Sequence, residues 1–245
     1  MKAPLLLTLL LAANASAADV SVAVAANFAT PAKSLATTFE KQSGHRALLS
    51  TGSTGKFYAQ IATGAPFDVL LAADAETPLR LEKEGLVVGG QRFTYALGKL
   101  VLWSLGDMVD ARGDVLRKQA FRRLSIANPR LAPYGAAAQQ VMENLGIWSS
   151  SQERLVMGEN IAQAYQFVST GNVEVGFVAY SQIRDPGKPT TGSFWLVPQT
   201  LYAPIRQDAV LLARAQGNQA ARQFLDFLRS APAREMIQAY GYELP

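Results

Sequence analysis

Apolar and polar positions along this chain switch repeatedly between two periods. Short apolar runs over 20–25, 46–51, 67–72, 99–103, 124–127, 154–157, 173–179 and 205–212 predict strands. Between them the spacing is helical. Phe28, Ala32, Leu35, Ala36 and Phe39 share one face, and Gly44 stops that helix. Further helices are predicted over 55–62, up to Gly85, on Ala138, Val141, Met142 and Leu145, and on Ile161, Ala164, Tyr165 and Val168. Two more close the chain over 220–228 and 232–240. After 103 a polar stretch (106–113) leads into a predicted basic helix. Strands alternating with helices predict an α/β fold of mostly parallel sheets flanked by helices. The run over 205–212 predicts a strand returning the chain to its first half.

The first residues follow a different pattern. Lys2 precedes an apolar stretch from Leu5 to Ala13 broken only by Thr8, and Ala15-Ser16-Ala17 fits a small-x-small cleavage site. Residues 1–17 therefore predict an export signal cleaved near Ala17 or Ala18, too short to remain as a membrane span. The sequence has no cysteine. That excludes a lipid anchor on cysteine and any disulfide, so the exported chain must rely on its core. Hydrophobic residues make up 49% of 245, enough for one. The formal charge of +4 falls to +3 without Lys2. The basic residues scatter apart from Arg112, Arg117, Lys118, Arg122 and Arg123, where few aromatics are interleaved. A solvated face is expected there, and no nucleic-acid partner.

Open α/β sheets gather ligands at the carboxyl ends of strands, where helix starts converge. Four such junctions carry suitable chemistry: Ala25-Ala26-Asn27-Phe28, Gly52-Ser53-Thr54-Gly55, Asn128 through Ala132-Pro133-Tyr134-Gly135, and Glu159-Asn160-Ile161-Ala162. The second stands in a turn of hydroxyls and glycines, where a close backbone, free N–H groups and O–H donors make an anion cradle. It is not a phosphate P-loop, because Ser50 stands where that motif needs glycine and Phe57 follows Lys56. Asn27 brings an amide, Ser53 and Thr54 hydroxyls, Tyr134 a phenol and Ile161 only its backbone N–H. Fixed charges are few: Arg130, Glu159, and Lys56 one turn into its helix. Taken singly, each residue has an ordinary reading: Asn27 and Asn160 as caps, Tyr134 as packed aromatic, Ile161 as core. Four neutral junctions, two in each half, point instead to an oxyanion held without a counter-ion, fixed dipoles replacing its water. About six hydrogen bonds to a charged group, at roughly 1.5–3 kcal/mol each, would suffice for micromolar or tighter binding after closure costs.

At these same junctions the chain resembles the periplasmic molybdate-binding proteins of ABC importers. The resemblance runs from about residue 19 to 244. It is carried by Val24-Ala25-Ala26-Asn27-Phe28, by Ser53-Thr54-Gly55 with Gln60-Ile61-Ala62-Thr63-Gly64-Ala65-Pro66, by Ala127-Asn128-Pro129 through Ala132-Pro133-Tyr134-Gly135, by Gly176-Phe177-Val178-Ala179 and by Tyr240-Gly241-Tyr242. It implies a two-lobed periplasmic binding protein (type II). Lobe 1 would span 18–98 with 208–245, lobe 2 99–207, and the anion would lie in the cleft. It implies Asn27, Thr54, Tyr134 and the backbone of Ile161 as molybdate ligands, with Ala26 and Ser53 beside them. Many members carry serine where this chain has Asn27, and a ligand tyrosine where it has Ala179, with Tyr180 one step away. The branch with asparagine uses the tyrosine matched by Tyr134, which is therefore preferred to Tyr180. Molybdenum would be held only as the oxyanion, without a side-chain metal ligand or cofactor. The implied partner is a membrane permease, the location the periplasm, and the state a monomer.

Three other readings compete. A different tetrahedral oxyanion (sulfate, thiosulfate or a phosphonate) would use the same junctions. An exported hydrolase could use Ser53, though its flanks lack the nucleophile-elbow glycines, or an Asp68–Asp74 acid pair. The single histidine, His45, is expected to be exposed rather than catalytic. A ligand-sensing domain of a transcription regulator conflicts with the export signal.

Overall fold

The computed structural model describes residues 17–245, so all but the last residue of the predicted export signal lies outside it. The chain runs β1 (Asp19–Ala25), α1 (Ala29–Ser43), β2 (Arg46–Gly52), α2 (Thr54–Ala62), β3 (Val69–Leu71), α3 (Glu76–Lys83) and β4 (Phe93–Gly98). It continues with β5 (Leu100–Ser104), α4 (Asp114–Arg117), β6 (Leu124–Ala127), α5 (Pro133–Asn144), α6 (Trp148–Ser151), β7 (Leu155–Gly158), α7 (Ile161–Ser169), β8 (Val175–Ala179), α8 (Tyr180–Ile183) and β9 (Ser193–Leu196). It closes with β10 (Ile205–Leu211), α9 (Gln219–Arg229) and α10 (Ala231–Ala239). No described helix is long and apolar enough to cross a membrane.

Two five-stranded sheets form, in the orders β2-β1-β3-β10-β4 and β7-β6-β8-β5-β9. They repeat one plan. In the first, β1 pairs in parallel with β2 and β3, while β10 runs antiparallel to β3 and β4. In the second, β6 pairs in parallel with β7 and β8, while β5 runs antiparallel to β8 and β9. The sheets are thus mixed, and the antiparallel strands have a simple origin. The chain leaves the first sheet at the end of β4 and enters the second after Lys99 alone, then returns through β10. A strand that arrives from the other sheet, rather than through a crossover helix, is free to run antiparallel. The first sheet takes up β10 from Ile205, which already pairs with Gly98.

Each sheet has its own core. Val20, Val22, Val24, Phe28, Leu35, Phe39 and Phe224 fill the first, and Leu100, Leu102, Leu124, Ile126, Val141 and Phe177 the second. The helical face of α1 packs as its spacing predicts, and the Gly44 N–H closes the helix on the Glu40 carbonyl at 2.9 Å. Two strands escape the sequence pattern. β4 carries Thr94 toward buried Asp208, and β9 is a four-residue edge following turn residues. The predicted basic helix shrinks to one turn, α4, because Val115 and Leu116 are its only buried residues. Its flanking charges are paired at the surface: Lys118 with Asp114, Arg122 with Glu174. His45 is buried, not exposed as expected. It packs beside Phe39, and its Nδ1 accepts the Ala18 N–H at 3.2 Å.

Candidate functional site

The four helix-start junctions meet. Ala26, Asn27, Ser53, Thr54, Tyr134 and Ile161 line one cavity of about 10 Å3, together with Ala73 beyond β3. That is room for about one water-sized sphere, far below the roughly 300–1,000 Å3 of pockets that hold organic ligands. A nucleotide or peptide does not fit. Tyr180 is not among the lining residues; it packs on Phe194. A larger open groove of about 600 Å3 shares Ala73, Ala132 and Pro133 with the cavity and carries the charges Asp74, Glu76, Arg80, Arg130 and Arg206.

Local sequence decides which donors face inward. The first N–H groups of any helix lack an intrahelical acceptor. In α2, the Ser53 Oγ caps the Lys56 N–H at 3.4 Å, and the Gly55 N–H reaches across to the Leu131 carbonyl at 3.0 Å. The Thr54 N–H, first in the helix, is left at the cavity. In α7, the Asn160 Oδ1 accepts from Ala162 and Gln163 at 3.0 and 3.1 Å and leaves the Ile161 N–H in the same position. Asn160 therefore acts as a helix cap, and that capping exposes its neighbour's N–H. The third junction differs, because α5 opens on Pro133, which has no N–H. There the next residue, Tyr134, brings a backbone N–H with no partner among the described residues, and its phenol lies against Gln207. At the first, Ala26 and Asn27 open a 3-10 turn.

The hydroxyls are polarised the same way. The Thr54 Oγ1 accepts the Ala73 N–H at 3.0 Å, and the Tyr134 oxygen accepts the Gln207 Nε2 at 3.3 Å. Each oxygen thus accepts from the framework, and the Tyr134 hydroxyl lies beside Gly98 and Gln207 of the first sheet. Burial pushes the Tyr134 phenol well above its ordinary range, so it stays a donor. The Asn27 amide is spent inside the protein: its Nδ2 donates to the Gln207 Oε1 at 2.8 Å and to the Tyr242 hydroxyl at 2.9 Å. What Asn27 offers the cavity is its backbone N–H.

Charge is kept out. Lys56 and Glu159 neutralise each other at 2.5 Å, each half exposed, and neither lines the cavity. Gly55 sits at a close approach of the two halves, where an added Cβ would lie 3.1 Å from the Leu131 carbonyl oxygen. The two aspartates of the hydrolase reading have separate structural partners. Asp68 accepts the Ser21 N–H at 2.8 Å, and Asp74 caps α3 through the Thr77 N–H and hydroxyl at 2.8 and 3.1 Å.

Burial, opposed by the Thr77 hydrogen bonds, raises the Asp74 carboxyl to about 6 from 3.8. The folded protein then holds this proton more tightly than the unfolded chain. The associated stability is complete below pH ~4 and is lost as pH rises through about 6, by up to about 3 kcal/mol. Asp74→Asn keeps a capping side chain without the charge. It is expected to raise the melting temperature at pH 7.5, with the gain shrinking toward pH 4.5 in thermal unfolding.

A family described as bacterial extracellular solute-binding protein matches residues 20–243. The chain belongs to that family. It is 58% identical over 236 residues to the molybdate-binding protein ModA of Azotobacter vinelandii, covering 96% of this chain and 94% of the relative. The ModA of Rhodobacter capsulatus is 50% identical over 233 residues, covering 95% and 91%. The fold superposes on the solved Azotobacter vinelandii periplasmic molybdate-binding protein with a TM-score of 0.90 at 40% identity, over 92% of this chain and 99% of that one. The architecture is accordingly the two-lobed periplasmic binding protein fold, with one sheet in each lobe.

The residues behind the cavity have no site role in the sequence reading, although Tyr242 is one of those that carry the resemblance. Gln207 and Tyr242 orient Asn27 and Tyr134, and Ser181 donates to the Asn27 carbonyl at 2.9 Å. One signal pointed to the first of them. Gln207 and Asp208 are adjacent polar residues inside an otherwise apolar strand, an arrangement buried strands keep only when both are hydrogen-bonded.

Proposed function

We propose that this protein is an extracytoplasmic solute-binding protein that captures molybdate or tungstate between its lobes and delivers it to the membrane permease of an ABC importer. It would act in the periplasm as a monomer, without a cofactor and without catalysis. The observation that carries the reading is the convergence of Asn27, Thr54, Tyr134 and Ile161, with Ala26 and Ser53, on one small cavity rich in donors. Residues 18–98 with the C-terminal segment form one lobe and the middle of the chain the other, the two closing on the anion about the Lys99 and β10 crossings.

Donors alone explain the kind of anion. The Thr54 hydroxyl, the Tyr134 N–H and the opening N–H groups of α2 and α7 suit an ion that only accepts. A protonated phosphate needs an acceptor, and the one carboxylate in the four junctions, Glu159, is engaged by Lys56. Size then separates molybdate from sulfate, because a fixed ring of donors spaced for the larger ion reaches the smaller one poorly. Relatives named for molybdate at 58% and 50% identity support the choice.

Thermal unfolding with four anions tests it. Molybdate and tungstate at 100-fold excess over their Kd are expected to stabilise by about 2.7 kcal/mol. Sulfate and phosphate at the same concentrations are expected to do little. An equal shift with sulfate would replace molybdate by another oxyanion.

A further inference from the structure

One ion pair spans the two lobes beside the cavity. Lys56, in the first turn of α2, places its Nζ 2.5 Å from the Oε2 of Glu159, just after β7. The other ion pairs among the described residues lie within one lobe or, like Lys99 with Glu243, at the chain crossing.

The two helix starts set where this pair stands. Lys56 follows Thr54 by two residues and Glu159 precedes Ile161 by two. Thr54 and Ile161 are the residues whose N–H groups the Ser53 and Asn160 caps leave unclaimed. The backbone of each partner is already held. The Lys56 N–H donates to the Ser53 Oγ at 3.4 Å, and the Glu159 N–H to the Gln163 Oε1 at 2.6 Å. One residue earlier, the Gly55 N–H donates to the Leu131 carbonyl of the other lobe at 3.0 Å. The first turn of α2 is thus tied across the cleft at two successive residues, once by main chain and once by charge. With the backbones fixed, forming the ion pair orders only two side chains.

We propose that Lys56 and Glu159 form a clasp that governs how long the anion stays bound. Neither lines the cavity, and together they carry no net charge. The pair closes after the lobes meet and must open before they part, so it acts on release rather than on capture. This rests on the oxyanion reading above and extends it, from the groups that hold the ion to the contact that delays its escape.

Lys56→Met, Glu159→Gln and the double variant test the clasp. Calorimetry gives the molybdate affinity, and a chase of radiolabelled molybdate with excess unlabelled molybdate gives the release rate. Each single variant is expected to release the anion about fourfold faster than the unaltered protein, an effect in keeping with a half-exposed ion pair. Affinity is expected to fall by the same factor. The double variant is expected to be no faster than either single one, because all three lose the same interaction. High salt is expected to narrow the difference. Asp19→Asn breaks a comparably exposed pair, with Arg46 inside one lobe, and is expected to leave release unchanged. Without ligand, the Lys56 and Glu159 variants are expected to melt with the unaltered protein. Lower melting with unchanged release would assign the pair to fold stability and overturn the proposal. Opposite shifts, with Lys56→Met weaker and Glu159→Gln tighter, would overturn it too, since each charge would then act on the anion by itself. So would additive effects in the double variant. No uptake of molybdate by the unaltered protein would overturn the ligand reading and the clasp with it. Tight uptake with equal release from every variant would overturn the clasp alone.

Discussion

Gly98→Ala is expected to weaken molybdate binding about 1,000-fold while leaving the unliganded protein folded. The added Cβ would sit 2.2 Å from the Tyr134 hydroxyl and 2.7 Å from the Gln207 amide nitrogen. Both atoms end side chains that are fully buried, with little room to shift aside, so relief comes from breaking the Gln207–Tyr134 bond or from the lobes staying apart. Overpacking of this kind costs about 1–3 kcal/mol, and a buried polar partner left unsatisfied about 1–3 more. A combined ~4 kcal/mol is about three decades of affinity. In an open form Tyr134 withdraws with its lobe, so the penalty falls on the closed state and reads as lost binding rather than unfolding. Calorimetric titration gives the affinity and thermal melting without ligand the stability. An affinity within threefold of the unaltered protein would mean that the lobes close without Tyr134 seated against β4.

Ile161→Pro is the second large effect, expected at about 100-fold. Proline removes the N–H that the Asn160 cap leaves unclaimed, and a hydrogen bond to a charged ligand contributes roughly 1.5–3 kcal/mol. The substitution suits the backbone. Ile161 is the first residue of α7, where proline is well accepted, and Asn160 has φ −143° and ψ 176°, an extended conformation favoured before proline. The helix should therefore form as before. Ile161→Val keeps the N–H and most of the buried side chain and is the control. Near-normal affinity of the valine variant beside the loss in the proline variant, by the same titration, assigns the effect to one backbone hydrogen. Equal losses in both would assign it to packing.

Much of this arrangement was legible from residue order, for definable reasons. Strands such as β1 and β6 and the face of α1 are periodic because each buries one side. The junctions were legible because ends of parallel strands and helix starts are compositional events: Ser53-Thr54 after Gly52, Pro133-Tyr134 before Gly135, Asn160 before Ile161. What stayed hidden depends on partners distant in the chain. β4 is a strand because β10 lies beside it, more than 100 residues later. His45 is buried because Phe39 of α1 and Ala18, just before β1, fold over it, although its own neighbours are Gly44 and Arg46. By residue type Asn27 and Tyr134 are side-chain donors alike. Only the positions of Gln207 and Tyr242 show that Asn27 spends its amide on the framework and that the Tyr134 phenol lies against Gln207.

The proline that opens α5 has a mechanical consequence. The first N–H that α5 can turn inward belongs to Tyr134, one residue further along than in α2 and α7. The side chain of that same residue reaches across to Gln207 of the first sheet. On the proposed reading, the donor and the latch between the lobes are therefore one rigid piece. An ion too large for the ring would push Tyr134 back and lift its phenol away from Gln207, so excess size would be felt at once as lost contact between the lobes.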